Sequence, residues 1–196
     1  MNVPNKLTVS RFAITVLFLA VLFSHLPDKE TIALALFSAA GLTDYFDGKI
    51  ARRDNLITNF GILMDPLADK ILVCSAFIAF VGRNWMPAWM AVIVVARELA
   101  ITGLRLLAAS KNLVLAAEGF GKHKTASQIV AILAILVLHS YRQWQPYGDI
   151  LFGLPGGDWP WLEVFTTLSL YLAVILTFSS GAIYLWRNRR LYLADL

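Results

Sequence analysis

Six stretches of this chain are each apolar over about 20 residues, the length an α-helix needs to cross a hydrocarbon core. They run over roughly 8 to 26, 31 to 53, 58 to 81, 86 to 109, 122 to 141 and 162 to 186. Backbone polar groups in lipid must be satisfied internally, which leaves helices or closed barrels as spanning structures. A barrel would need short alternating segments, and the sequence does not supply them. The expectation is an all-α, polytopic membrane protein with six transmembrane helices. Composition agrees, since 58% of the 196 residues are hydrophobic and only 15% charged, too apolar for a soluble domain of this size. No repeat or low-complexity linker divides the chain, so residues 1–196 read as a single membrane domain.

Basic residues set the orientation. With the N-terminus inside, only Lys29, Arg83 and Arg142 of the 17 Lys and Arg fall outside. That asymmetry predicts cytoplasmic N- and C-termini in a cell (inner) membrane. The net charge of +4 follows from the same bias, with some attraction to anionic headgroups, and needs no nucleic acid to explain it. The apolar run from Phe12 to Phe23 also suits a signal peptide, but Ser24-His25-Leu26-Pro27 lacks a small-residue cleavage site. Cys74 is alone and reads as a small core residue. His25, His123 and His139 fall at span ends and read as interfacial.

Against this apolar background four carboxylates stand out. Asp44 and Asp47 are three apart and Asp65 and Asp69 four apart, so on helices each pair projects from one face. The pairs lie at nearly equal distances from Leu56, so an antiparallel helical hairpin brings all four to similar depths. Clustered carboxylates raise one another's pKa and pay a desolvation cost, and a divalent cation removes both problems. All-oxygen ligation selects Mg2+ or Mn2+ over zinc, and two such ions could clamp a phosphate. Gly48 and Gly61 permit close backbone approach beside them. Pairing of the acids with Arg52, Arg53 and Lys70 in a solvated loop, or a cation or proton pathway, are the competing readings.

The pattern Asp44-x2-Asp47-Gly48-x2-Ala51-Arg52-x8-Gly61-x3-Asp65-x3-Asp69 resembles the signature of the CDP-alcohol phosphatidyltransferases, with all eight fixed positions filled. The resemblance covers spans one to five and weakens over the outer loop and span six. It implies two ions held by the four aspartates, Asp69 as general base, and Gly48, Ala51, Arg52 and Gly61 at the CDP moiety. It also implies a homodimer. The start from Val3 to Arg11 is similar to the first helix of the members that form phosphatidylglycerophosphate, with Asn5, Thr8 and Arg11 on one face. An N-cap with an interfacial anchor explains it equally well.

Span four carries Arg97, Glu98 and Arg105 in its cytoplasmic half. Ionisable groups within a span are costly and usually face the bundle interior or a water-filled cavity, and guanidinium forks suit a bound phosphate. Alternatively Arg97 pairs with Glu98 and Arg105 snorkels to the interface. Lys122 and Lys124 open span five at the same face, as phosphate ligands or as a positive-inside anchor. Both stretches resemble the phosphatidylglycerophosphate-forming branch, whose acceptor, glycerol 3-phosphate, brings its own phosphate. The implied reaction moves the phosphatidyl group from CDP-diacylglycerol to glycerol 3-phosphate and releases CMP, in a site facing the cytoplasm. The aspartate signature alone does not choose the acceptor, so phosphatidylglycerol (as in a cardiolipin synthase), inositol phosphate or serine stay open. A divalent-cation or proton-coupled transporter would need a path to the far side, and the outer halves of the spans hold almost no ionisable residues.

Overall fold

A computed structural model describes the backbone of residues 3–53, 59–111, 113, 120–144 and 160–193. Side chains at 3–8, 44–53, 59–66, 69, 120–122, 142, 160 and 193 lie outside the described set. Six long helices follow in order: α1 (Val3–Leu22), α2 (Lys29–Arg53), α3 (Asn59–Gly82), α4 (Ala88–Ser110), α5 (Phe120–Ser140) and α6 (Pro160–Arg187). A 3-10 turn at Tyr141–Trp144 follows α5, and a short helix, α7 (Arg189–Leu193), follows α6. The described residues contain no strand.

The helix ends follow local chemistry. α1 stops at Leu22, short of the predicted 26, and the chain turns through Pro27 and a left-handed Asp28 (φ 56°) before α2 begins. α3 ends in a Schellman turn at Asn84, also left-handed at φ 58°, where Trp85 N–H donates to the Phe80 carbonyl at 2.9 Å and Asn84 N–H to that of Val81 at 3.0 Å.

Packing closes the six helices into a ring in the order α1, α2, α5, α6, α4, α3, with α3 and α5 also meeting across it. Over the described residues α1 packs on both α2 and α3 and so bridges the two aspartate-bearing helices. Phe18, Phe37, Phe77, Phe80, Met90 and Ile132 fill the centre, with the Phe18 and Phe37 rings 6.0 Å apart.

Burial departs from that of a water-soluble protein. Glu98, Lys124 and Gln128 are buried, whereas Leu99, Val92, Leu168 and Phe178 are each more than 60% exposed. Charges turned inward and large apolar groups turned outward define a surface solvated by lipid. By length and apolarity alone, the stretches His123–Ser140 and Trp161–Arg187 can cross a membrane, and Val9–Leu22 and Lys70–Gly82 are shorter apolar segments. This is an all-helical membrane protein. In lipid the hydrophobic effect does not press helices together, so close packing and interhelical hydrogen bonds carry the association.

Those hydrogen bonds concentrate at the two ends of the ring. At one end Glu30 accepts from Arg83 Nη2 at 3.1 Å and from Gln143 Nε2 at 2.6 Å. Thr31 Oγ1 there donates to Gln143 Oε1 and accepts from Trp144 Nε1, both at 2.8 Å. Gln143 and Trp144 thus tie the end of α5 to the start of α2. His139 stacks on Trp85 at 3.9 Å at the same end. The opposite end holds the polar groups that concern function.

Candidate active site

The backbone places every predicted site residue on a helix. Asp44, Asp47, Gly48, Ala51 and Arg52 lie in the last part of α2, and Gly61, Asp65 and Asp69 in the first half of α3. All four aspartate positions are therefore helical, the condition for each pair to share a face. α2 begins and α3 ends at the Glu30–Arg83 ion pair, so the aspartate-bearing segments both belong to the other end of the ring. The side chains of these eight residues, and of Lys122 at the start of α5, lie outside the described residues.

The described side chains at that end form a cationic cluster around one acid. Glu98, midway along α4, is buried, and its carboxylate accepts from Arg97 Nη1 at 3.3 and 3.4 Å and pairs with Lys124 of α5, itself buried. Arg97 extends its other nitrogen, Nη2, to Ser180 Oγ of α6 at 3.5 Å. One helical turn beyond Glu98, Thr102 donates to the Glu98 carbonyl at 2.7 Å and receives Lys70 Nζ. Lys70 directly follows Asp69 on α3 and lies within electrostatic range of Glu98, Arg97 and Arg105. Arg105 is more exposed and packs on Tyr184 of α6, its guanidinium carbon 5.8 Å from the ring centroid and its Nε 3.5 Å from the hydroxyl.

Two cations from two helices, Arg97 and Lys124, therefore pair with a single described carboxylate, while Lys70, from the helix carrying two of the aspartates, meets Thr102 one turn away and Arg105 packs on Tyr184. Below the cluster Gln128 Nε2 donates to Thr177 Oγ1 at 2.9 Å, a fully buried pair between α5 and α6. Arg11 of α1 is buried as well.

Sequence reading places Arg97, Arg105 and Lys124 at one membrane face; the structure joins Arg97 and Lys124 through Glu98, while Arg105 packs on Tyr184 of α6. Arg97 does pair with Glu98, and the same carboxylate also holds Lys124, two helices away in the ring. Lys70 and Thr102 are the members that sequence reasoning missed. Their signal was present, since Lys70 adjoins Asp69 and Thr102 lies one turn from Glu98, but nothing in the sequence says that α3 and α4 meet at that level.

The Arg97 side chain also sets how closely α4 and α6 approach. A Cβ at Gly181 would lie 2.7 Å from Arg97 Cγ, so only glycine leaves room for the arginine stem. Gly181→Ala is expected to cost about 1–3 kcal/mol of stability in detergent, as overpacking does, and to displace the guanidinium from Ser180. Thermal unfolding checks the first effect and a structure of the variant the second.

Buried ionisable groups inside a helical bundle whose outer face is apolar define a membrane protein with a polar site enclosed between its helices. The CDP-alcohol phosphatidyltransferase family model matches residues 1–179, and the chain belongs to that family. It is similar to the Bacillus subtilis protein named CDP-diacylglycerol–glycerol-3-phosphate 3-phosphatidyltransferase, with 37% identity over 199 residues and 95% of each chain covered. The Rickettsia bellii protein of the same name is 32% identical over 183 residues, covering 93% of each chain. A Mycoplasma pneumoniae protein, again of that name, is 34% identical over 158 residues, covering 71% of this chain and 70% of its own.

Proposed function

We propose that this enzyme transfers the phosphatidyl group of CDP-diacylglycerol to glycerol 3-phosphate, forming phosphatidylglycerophosphate and releasing CMP. The observation that supports the choice of acceptor is the pairing of Arg97 and Lys124 on Glu98, with Lys70 of the helix of Asp65 and Asp69 one turn further along α4 at Thr102 and Arg105 one turn beyond that. An acceptor that bears its own phosphate, whether glycerol 3-phosphate or inositol phosphate, suits such an excess of cations, whereas serine does not. The names of the relatives in three bacteria point the same way.

Asp44, Asp47, Asp65 and Asp69 offer only hard oxygen donors, a set that fits Mg2+ or Mn2+, and these four would hold two such ions. When bound, the ions supply positive charge at the pyrophosphate and at the departing CMP. Asp69 takes the proton from the acceptor hydroxyl as its oxygen attacks the phosphatidyl phosphorus and the bond to CMP breaks. Gly48, Ala51, Arg52 and Gly61 receive the nucleotide. Arg97, Arg105 and Lys124, with Lys122, hold the acceptor phosphate and so place the hydroxyl in line. The helices α1 to α6 all span the cell membrane with both termini cytoplasmic, and the site opens to the cytoplasm, where the soluble acceptor is found. The enzyme works as a homodimer.

Purified protein with CDP-diacylglycerol and Mg2+ would be offered glycerol 3-phosphate, inositol phosphate, serine or phosphatidylglycerol, and CMP release followed. Release with glycerol 3-phosphate alone is expected; release with another acceptor only would overturn the assignment. Within that assay Arg105→Ala should raise the KM for glycerol 3-phosphate by roughly 10-fold or more, the scale of a charged hydrogen bond. The KM for CDP-diacylglycerol should stay within about twofold, and an unchanged acceptor KM would remove Arg105 from the pocket.

A further inference from the structure

Glu98 is the one described acid in the cationic cluster, and neither the proton transfer nor the binding of a phosphate calls for it. A carboxylate among phosphate-binding cations repels the phosphate that those cations attract. It is nonetheless buried at 5% exposure and engages Arg97 through both oxygens and Lys124 through one. Its position on α4 also orders the rest of the cluster, because its carbonyl fixes Thr102, which receives Lys70. Among the described residues Arg97 and Lys124 retain donors beyond those given to Glu98: Arg97 Nη2 lies 3.5 Å from Ser180 Oγ, and a lysine ammonium has three protons.

Resting on the reading of this cluster as the acceptor-phosphate pocket, we propose that Glu98 is a positioning residue that acts as a built-in counter-ion. It shares Arg97 and Lys124 with the incoming phosphate, weakening the hold on the anion while fixing the direction in which both cations present their remaining donors. The pocket so tuned binds a phosphate monoester loosely and in one register, with its hydroxyl toward Asp69. Two opposed consequences follow. Without the carboxylate charge the cations bind phosphate more tightly, by the loss of a like-charge repulsion in a low-dielectric site. The anion is then held less productively, so turnover falls.

The test compares wild type with Glu98→Gln and Glu98→Asp in full-length protein in detergent, measuring the Kd for inorganic phosphate by calorimetry and kcat and KM for glycerol 3-phosphate by CMP release. Glu98→Gln is expected to bind phosphate several-fold more tightly, to lower the KM for glycerol 3-phosphate and to lower kcat about tenfold. Glu98→Asp, which keeps the charge but draws it back from Lys124, should lie between Glu98→Gln and wild type on all three. If Glu98→Gln cannot be recovered folded, tighter phosphate binding by Glu98→Asp still supports the inference and unchanged binding rejects it. A merely structural role predicts weaker phosphate binding and raised KM for both substrates, and either result would overturn the inference. Failure of wild type to use glycerol 3-phosphate would strike the proposed acceptor instead, and the phosphate affinities would still decide the role of Glu98.

Discussion

Asp69→Asn is expected to lower turnover by about a thousandfold, within the 10²–10⁴ range that a positioned general base contributes. The substitution keeps the size of the side chain but turns one acceptor oxygen into a donor and removes the group proposed to accept the proton of the acceptor hydroxyl. Asp69 lies four residues after Asp65 on α3, one helical turn closer to Lys70 and therefore to the cation cluster. On the proposed reading Asp69 is therefore the aspartate nearest the acceptor. Asp69→Asn should accordingly retain part of its metal and CDP-diacylglycerol binding, whereas Asp65→Asn should lose both binding and transfer. Equal loss of binding in the two variants would remove the separate role of Asp69. Substrate-binding titrations alongside CMP release make the distinction.

The second large effect concerns Lys124. It is buried at 4% exposure and paired with a buried acid, so Lys124→Met strands the Glu98 carboxylate with Arg97 as its remaining partner. Breaking a buried pair from one side costs about 3 kcal/mol or more, while replacing both partners with neutral groups is often tolerated. Lys124→Met should thus be strongly destabilised, and Lys124→Met combined with Glu98→Gln should recover most of the lost stability. The double variant should still bind glycerol 3-phosphate at least tenfold more weakly than Glu98→Gln alone, because a phosphate-binding cation is gone. Thermal unfolding in detergent and acceptor KM, run as a double-mutant cycle, separate the two roles. Recovery of acceptor binding together with stability would show that Lys124 only neutralises Glu98.

How much of this was legible in the sequence differs between the aspartates and their surroundings. Apolar runs of spanning length locate all six long helices to within a few residues. The largest departure is at α1, which ends at Leu22 because Pro27 and the left-handed Asp28 reverse the chain. The aspartate spacing and the positions of Arg97, Arg105 and Lys124 need only helical geometry and the sidedness of the basic residues. Which helices become neighbours is a different matter. When a helix is apolar nearly all round, its periodicity does not mark an inward face, so the ring order was not readable. Lys70 meeting Thr102, and Lys124 sharing Glu98 with Arg97, depend on that order. The Glu30–Arg83–Gln143 network at the far end was hidden for the same reason: Gln143 lies 113 residues from Glu30 in the chain.

The central claim is that the cation cluster holds the acceptor phosphate beside the metal-bearing aspartates. The most direct measurement replaces Mg2+ with paramagnetic Mn2+ and follows the 31P relaxation of glycerol 3-phosphate in the presence of the enzyme. Strong, saturable relaxation enhancement is expected for wild type, abolished in Asp65→Asn, which loses the metal, and greatly reduced in Lys124→Met/Glu98→Gln, which loses the phosphate. An enzyme that retains Mn2+ and turns over glycerol 3-phosphate while leaving its 31P relaxation unchanged would contradict the claim, as would enhancement that survives in Asp65→Asn.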